Sequence, residues 1–348
     1  MSIHDEMSRR TAIGAGLSAL PAAGAWKSGN TKPLMGAGEH TYEVHHDWGR
    51  LPDRIRWGNC HGVVEDSRGR IYVFHTVHRT SISTDAMVVF DETGKFVTSW
   101  GSEFAGGAHG LHIEKEGSEE FFYLCDINRR IVVKTTLDGK EVMRLGYPKE
   151  SPSYPLDAEG KPAAKYVPTN LAVASNGDIY VADGYGSSFV NQYDRNGRLI
   201  RTFGGGGTKA PGSLNAPHGI FIDRRSGVEE VVVADRSNNR LQYFTLDGKH
   251  SRFVTEGIQL PCHFHFRGGL MLIPDLAARV VLLDRGNKPV AVLGDDSASD
   301  YRKTRTQPRE SFKPGKFVCP HGACFDHSGN IFVAEWVEAG RLTKLRKV

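Results

Sequence analysis

No apolar run in the 348 residues approaches the ~20 needed to carry a helix across a bilayer. The apolar runs also lack a 3.6-residue period, which argues against a helical architecture. Cysteine is scarce: Cys60, Cys125, Cys262, Cys319 and Cys324 are too few and too scattered for a disulfide scaffold. Charge of one sign is scarce as well. The 44 Lys+Arg against 40 Asp+Glu leave +4, without the clustered basic excess of a dedicated nucleic-acid binder. Phosphate-cradling loops, Gly-x-Ser-x-Gly elbows and Cys-x-x-Cys pairs do not stand out, so nucleotide and serine-hydrolase readings lack support. Glycine is abundant: 40 residues, about 11% against a usual ~7%, spread along the chain as tight-turn formers would be.

The first 25 residues have the pattern of an export signal. Ser8-Arg9-Arg10 precedes a Gly/Ala-rich, weakly apolar stretch over residues 11–25, and Ala23-Gly24-Ala25 fits a small-residue cleavage site. The arginine pair is of the twin-arginine type, with Ala12-Ile13 in place of the usual bulky pair. The expectation is a signal over 1–25, a linker over 26–39, and one exported domain over 40–348, periplasmic or extracellular.

That domain reads as one unit repeated six times. His61-Gly-Val-Val-Glu-Asp, Ile71-Tyr-Val-Phe, Met87-Val-Val-Phe-Asp and Phe96-Val-Thr-Ser-Trp-Gly are four short β-runs, and the order restarts at His109, Asn170, His218, His263 and His321. Asn196-Gly197, Asp138-Gly139 and Asp247-Gly248 separate third from fourth runs and predict primed hairpin turns. Four-stranded units without intervening helices are blades of a β-propeller. The sixth has only three runs, at 322–326, 331–336 and 341–348. A ring must hide its free edge, so the β-rich segment 41–48 is expected to complete blade six. The two long connections, 147–167 and 295–318, are expected to overhang one face.

Topology then places the chemistry. In each blade the first strand lines the central channel, and the loop between strands two and three returns to the rim where that strand begins. Five of the six first-strand starts are histidines: His61, His109, His218, His263 and His321, with Asn170 the sixth. Such a ring can hold a transition metal through imidazole nitrogen. Alternate blades lie ~120° apart, so His109, His218 and His321 form a three-fold set with positions left open. His61, Asn170 and His263 form the complementary set, His61 and His263 being additional candidate ligands. His75, His78 and His265 read as solvated or core histidines. The cysteines are small buried residues, a metal-site thiolate or one disulfide. The rim loops contribute Tyr185, a candidate general base, and Arg236, able to clamp a carboxylate with two parallel hydrogen bonds. Arg240 reads as a loop-end residue.

The six units resemble NHL repeats, and residues 40–348 resemble peptidyl-α-hydroxyglycine α-amidating lyase. The matching stretches are Ala108-His109-Gly-Leu-His, Val181-Ala-Asp-Gly-Tyr185, Pro217-His218-Gly, Val233-Ala-Asp-Arg236-Ser-Asn-Asn-Arg-Leu-Gln and Pro320-His321-Gly. The resemblance implies that His109, His218 and His321 bind catalytic zinc, that Tyr185 is the base, and that Arg236 contacts a substrate carboxylate. It admits a structural calcium as a further ion. The family carries an arginine directly after Phe-His in blade one. Here Thr76 follows Phe74-His75, and Arg79 is the nearest arginine. The family's cysteine after the tyrosine is replaced by Gly186. Arg79 and Asn170 are the expected further substrate contacts.

The expected activity is that of an exported, monomeric, metal-dependent lyase. It would break a C–N or C–O bond of a small carboxylate-bearing or peptide-like substrate, without a nucleic-acid partner. The alternative is a non-catalytic propeller binding peptide, glycan or protein on the same face. A Ca²⁺-type lactonase is disfavoured by histidines where carboxylates would be needed.

Overall fold

The computed structural model of the protein describes residues 32–348. The expected signal, residues 1–25, and the first part of the expected linker lie outside them. No helix among the described residues is long and apolar enough to cross a membrane.

Six antiparallel sheets form a six-bladed β-propeller. Blade one comprises Cys60–Glu65, Ile71–His75, Met87–Phe90 and Phe96–Trp100. Blade two begins with Ala108–Glu116, blade three with Asn170–Val173, blade four with Pro217–Asp223, and blade six with Pro320–Phe325. Blade five begins late: its first strand is His265–Arg267, so His263 stands just ahead of it. Strands of four to eight residues, rich in Val, Ile, Phe and Tyr, bury both faces where the sheets stack. Six apolar clusters fill the six spaces between neighbouring blades. One example is the layer of Tyr72, Phe74, Phe122 and Leu124 between blades one and two.

The ring closes in blade six as its pattern requires. Tyr42–His45 pairs antiparallel with Arg341–Lys347, in the register Tyr42↔Lys347 to His45↔Lys344. Alternation decides the faces: Tyr42 and Val44 are buried against blade five, while Glu43 turns out to Arg346. A fifth strand, Leu34–Met35, pairs with Tyr42–His45 and lies within the segment read from sequence as linker. Trp48 wedges between blades six and one, its ring 4.8 Å from that of Phe332 and 5.7 Å from that of Phe90.

The turns between third and fourth strands are not the primed type expected from Asn-Gly and Asp-Gly. Gly94, Gly139, Gly197 and Gly248 have φ of 80–91°, but Asn196, Asp138 and Asp247 do not have positive φ. The Gly197 amide closes a turn on the Asp194 carbonyl, and the ladder slips by one residue between Gln192 and Tyr193. This is an ordinary turn followed by a glycine bulge. The side chain that opens each turn favours it: Asp194 accepts from the amides of Asn196 and Arg198, and Thr136 and Thr245 accept from those of Lys140 and Lys249.

Candidate metal centre and its rim

Each channel histidine of the three-fold set sits in a β-bulge. The pairing slips between Ala108 and Leu111, between Pro217 and Ile220, and between Pro320 and Gly322. A bulge re-aims a side chain at a strand start, here toward the channel. The glycine after each histidine exists for the next blade. A Cβ on Gly110 would lie 2.6 Å from the Thr169 carbonyl oxygen, on Gly219 2.5 Å from that of Cys262, and on Gly322 2.4 Å from that of His61. Those same carbonyls meet the imidazoles. His109 Nδ1 is 2.7 Å from Thr169 O, His218 Nδ1 2.8 Å from Cys262 O, and His321 Nδ1 2.9 Å from His61 O. A carbonyl only accepts, so each Nδ1 carries the proton and each Nε2 presents a lone pair.

The three rings converge, with centroids 4.7–4.9 Å apart. The Tyr185 hydroxyl stands 3.2 Å from His109 Nε2 and 3.0 Å from His218 Nε2. It has one proton for two lone pairs. His321 Nε2 is buried without any partner. Two Nε2 lone pairs that share one proton, beside a third with no partner, are an electrostatic deficit that a cation corrects, although these three nitrogens are not among the sets lying mutually within 4.8 Å. The donor set therefore fits a divalent transition metal, with Nδ1 bonds to carbonyls of the kind that orient metal-bound imidazoles. Burial holds His109 down to about 4, and holds His218 and His321 well below the usual imidazole range with help from neighbouring charges including Arg236. The rings are thus neutral, the form that ligates.

His61 joins this group, its ring 4.7 Å from that of His109 and 4.5 Å from that of His321. Two triples have ligand atoms all within 4.8 Å of one another: His61, His109 and His321, and His218, Cys262 and His321. His61 lacks the bond that fixes the others, its buried Nδ1 having no partner. His263 likewise has an unpartnered Nδ1, but it belongs to a separate layer with His112 and His265 around Phe221. Asn170 is buried and turned on its own strand, its Oδ1 accepting from the Leu171 amide. His75 is a core residue, receiving the Gly58 and Val77 amides at Nδ1. His78 pairs locally with Thr80.

On the rim, Arg236 lies with its guanidinium carbon 5.4 Å from the Tyr185 ring centre and Nη1 3.9 Å from Cys262 Sγ. Burial raises the Tyr185 pKa, and Arg236 opposes that. Tyr185 is held by the 147–167 loop. Its amide donates to Val167 O, and buried Asp183 binds both loop and turn by accepting from Tyr154 Oη and from the amides of Val167 and Ser187. Arg240 closes its loop on Asp235 at 2.7 Å, as a loop-end residue should. Arg79 is exposed on the blade-one rim loop. All five cysteines are free and buried, so no disulfide forms among them. Two rim features had no sequence signal strong enough to rank them. The Cys262 thiol faces Arg236, and Arg305 of the long loop lies over the ring. Only the Cys262-His263 pairing hinted at the first.

No family model matches the chain. Peptidyl-alpha-hydroxyglycine alpha-amidating lyase 1 of Drosophila melanogaster is 28% identical over 244 residues, 62% of this chain and 42% of that protein. Peptidylglycine alpha-amidating monooxygenase of Rattus norvegicus is 26% identical over 226 residues, 57% of this chain and 22% of that protein. The chain thus spans less than half the length of either relative. Among solved structures, a streptogramin B lyase superposes with a TM-score of 0.56 at 12% identity, over 87% of this chain and 97% of that one, a likeness of fold alone. The chain is a six-bladed β-propeller, consistent with the NHL-repeat type, that resembles peptidyl-α-hydroxyglycine α-amidating lyase.

Proposed function

We propose that this protein is an exported metal-dependent lyase that cleaves a C–N or C–O bond of a small carboxylate-bearing or peptide-like hydroxy acid. The observation carrying this reading is the convergence of the His109 and His218 Nε2 atoms on the Tyr185 hydroxyl, beside the unpartnered Nε2 of His321, at the mouth of the channel. His109, His218 and His321 would hold the ion, zinc by their donor type. When bound, it supplies positive charge that polarises a substrate oxygen and favours the phenolate of Tyr185. Tyr185 takes the hydroxyl proton of the substrate. The O–H electrons form a carbonyl, and the C–N or C–O electrons leave with the departing group, which is then protonated. For an α-hydroxyglycine the products are an amide and glyoxylate. Arg236, from the loop next to that of Tyr185 in the ring, anchors the carboxylate by paired hydrogen bonds. Removal of a signal ending at Ala25 would be seen as a mature N-terminus at Trp26.

The test is metal content and turnover together. The purified protein should hold one divalent ion, and His218→Ala should lose it. Retained one-to-one metal after that change, or a metal-free protein grown with ample zinc, refutes the centre. A second reading, a non-catalytic propeller binding peptide, glycan or protein, draws on the exposed position of Arg79. It predicts bound ligand without turnover of any α-hydroxyglycine or other hydroxy acid.

A further inference from the structure

The loop over residues 295–318 has its own small core. Tyr301 and Phe312 pack with Leu276 of blade five and with Val318, Cys319, Trp336 and Val337 of blade six. The loop carries a four-residue helix, Tyr301–Thr304, opened by Asp300, whose side chain accepts from the Lys303 amide. Arg305 follows directly. Its carbonyl accepts from the Glu338 amide at 3.0 Å, which ties it to the blade-six rim. Its guanidinium carbon lies over Trp336, 3.4 Å from the ring centre. Nε donates to Trp336 O and Nη2 to Asn59 Oδ1. Asn59 stands two residues before His61. The Trp336 amide donates to Cys319 O, two residues before His321. Arg305 is therefore placed over the entrances of blades six and one, on the face that carries Tyr185 and Arg236.

Its charge is the informative property. Other partly or fully buried arginines at this rim are neutralised by carboxylates: Arg129 by Asp126, Arg240 by Asp235, Arg279 by Asp275, Arg341 by Glu335 and Arg309 by Asp47. Among the described residues, Arg305 has a carbonyl and an amide oxygen as acceptors, and Arg236 has the Cys262 thiol and the Tyr185 hydroxyl, with no carboxylate at either. Two cations without a carboxylate partner among the described residues stand two blades apart over one channel. A stacked, pinned guanidinium with donors to spare is pre-organised for an oxyanion.

We infer that Arg305 is a second anion-binding side chain at the channel mouth, and that the site takes hydroxy acids bearing two anionic groups in preference to those bearing one. This rests on the carboxylate role of Arg236 proposed above. The test uses the full chain loaded with zinc and two probes, malate and lactate, which share a 2-hydroxy carboxylate and differ in the second carboxylate. Calorimetric titration should show malate binding about tenfold or more tighter, the scale of a hydrogen bond to a charged group. Arg305→Gln should erase that preference while leaving lactate affinity and zinc content unchanged. Arg305→Lys should restore part of it. Arg236→Gln should weaken both acids. An unchanged malate preference in Arg305→Gln, with both acids weakened by Arg236→Gln, overturns the role of Arg305 and leaves the underlying reading intact. Equal weakening of both acids with a lower melting temperature overturns it in favour of a structural brace. Zinc-loaded wild-type protein that binds neither acid overturns the carboxylate reading itself.

Discussion

Gly219→Ala tests how the blades build the proposed metal centre. The new Cβ would lie 2.5 Å from Cys262 O, where ordinary contact begins near 3.4 Å. The obstacle is backbone, so one blade must move by about 0.9 Å. That carbonyl also receives the proton of His218 Nδ1 at 2.8 Å, and a shift of this size stretches the bond past its limit. Overpacking costs roughly 1–3 kcal/mol and the lost bond roughly 1 kcal/mol more. For a domain of this size that is a fall of about 2–6 °C in Tm. Loosening an outer bond to a ligating imidazole weakens metal binding about 10–100-fold. The control is Gly146→Ala, which meets no atom within 4 Å and has no positive φ. Melting curves and competitive metal titration on both variants supply the comparison. If Gly219→Ala matches Gly146→Ala in Tm and metal affinity, the carbonyl-to-imidazole bond does not organise the centre.

Other outcomes are equally definite. Tyr185→Phe keeps the ring and the metal but should lower kcat by about 10²–10⁴-fold, and an unchanged kcat removes Tyr185 as the base. Arg236→Lys keeps the charge and loses the paired geometry, so it should mainly raise KM for a carboxylate substrate. Chelated protein should lose stability as pH falls. The buried imidazoles bind protons less readily folded, at about 4 for His109 and about 3 for His263, than unfolded, at about 6.5. The unfolded chain therefore takes up more protons between pH 6.5 and about 4, and melting temperatures should drop across that window. A flat profile there counts against neutral buried histidines. Deleting residues 40–50 removes the strand that covers Arg341–Lys347 and should cause aggregation, and unchanged thermal stability would show that the ring does not need it.

Much of this protein is written locally. Six restarts of a four-run pattern were enough for six blades, because alternation and turn chemistry act within a few residues. Five histidines at one repeat position pointed to a channel site, and the incomplete sixth unit called for a closing strand, found at Tyr42–His45. The turn type differs from expectation because Asn-Gly and Asp-Gly suit a bulge as well as a primed turn; the side chain that opens the turn, Asp194, Thr136 or Thr245, decides. What tertiary structure decided are contacts between blades. The Nδ1 bonds that separate His109, His218 and His321 from His61 and His263 join residues 60, 44 and 260 positions apart. The seat of Arg305 over Trp336 depends on how a loop without a repeat pattern folds onto its neighbours. Such contacts arise only when the ring closes, so periodicity places the histidines on one rim, and closure determines which lone pairs converge.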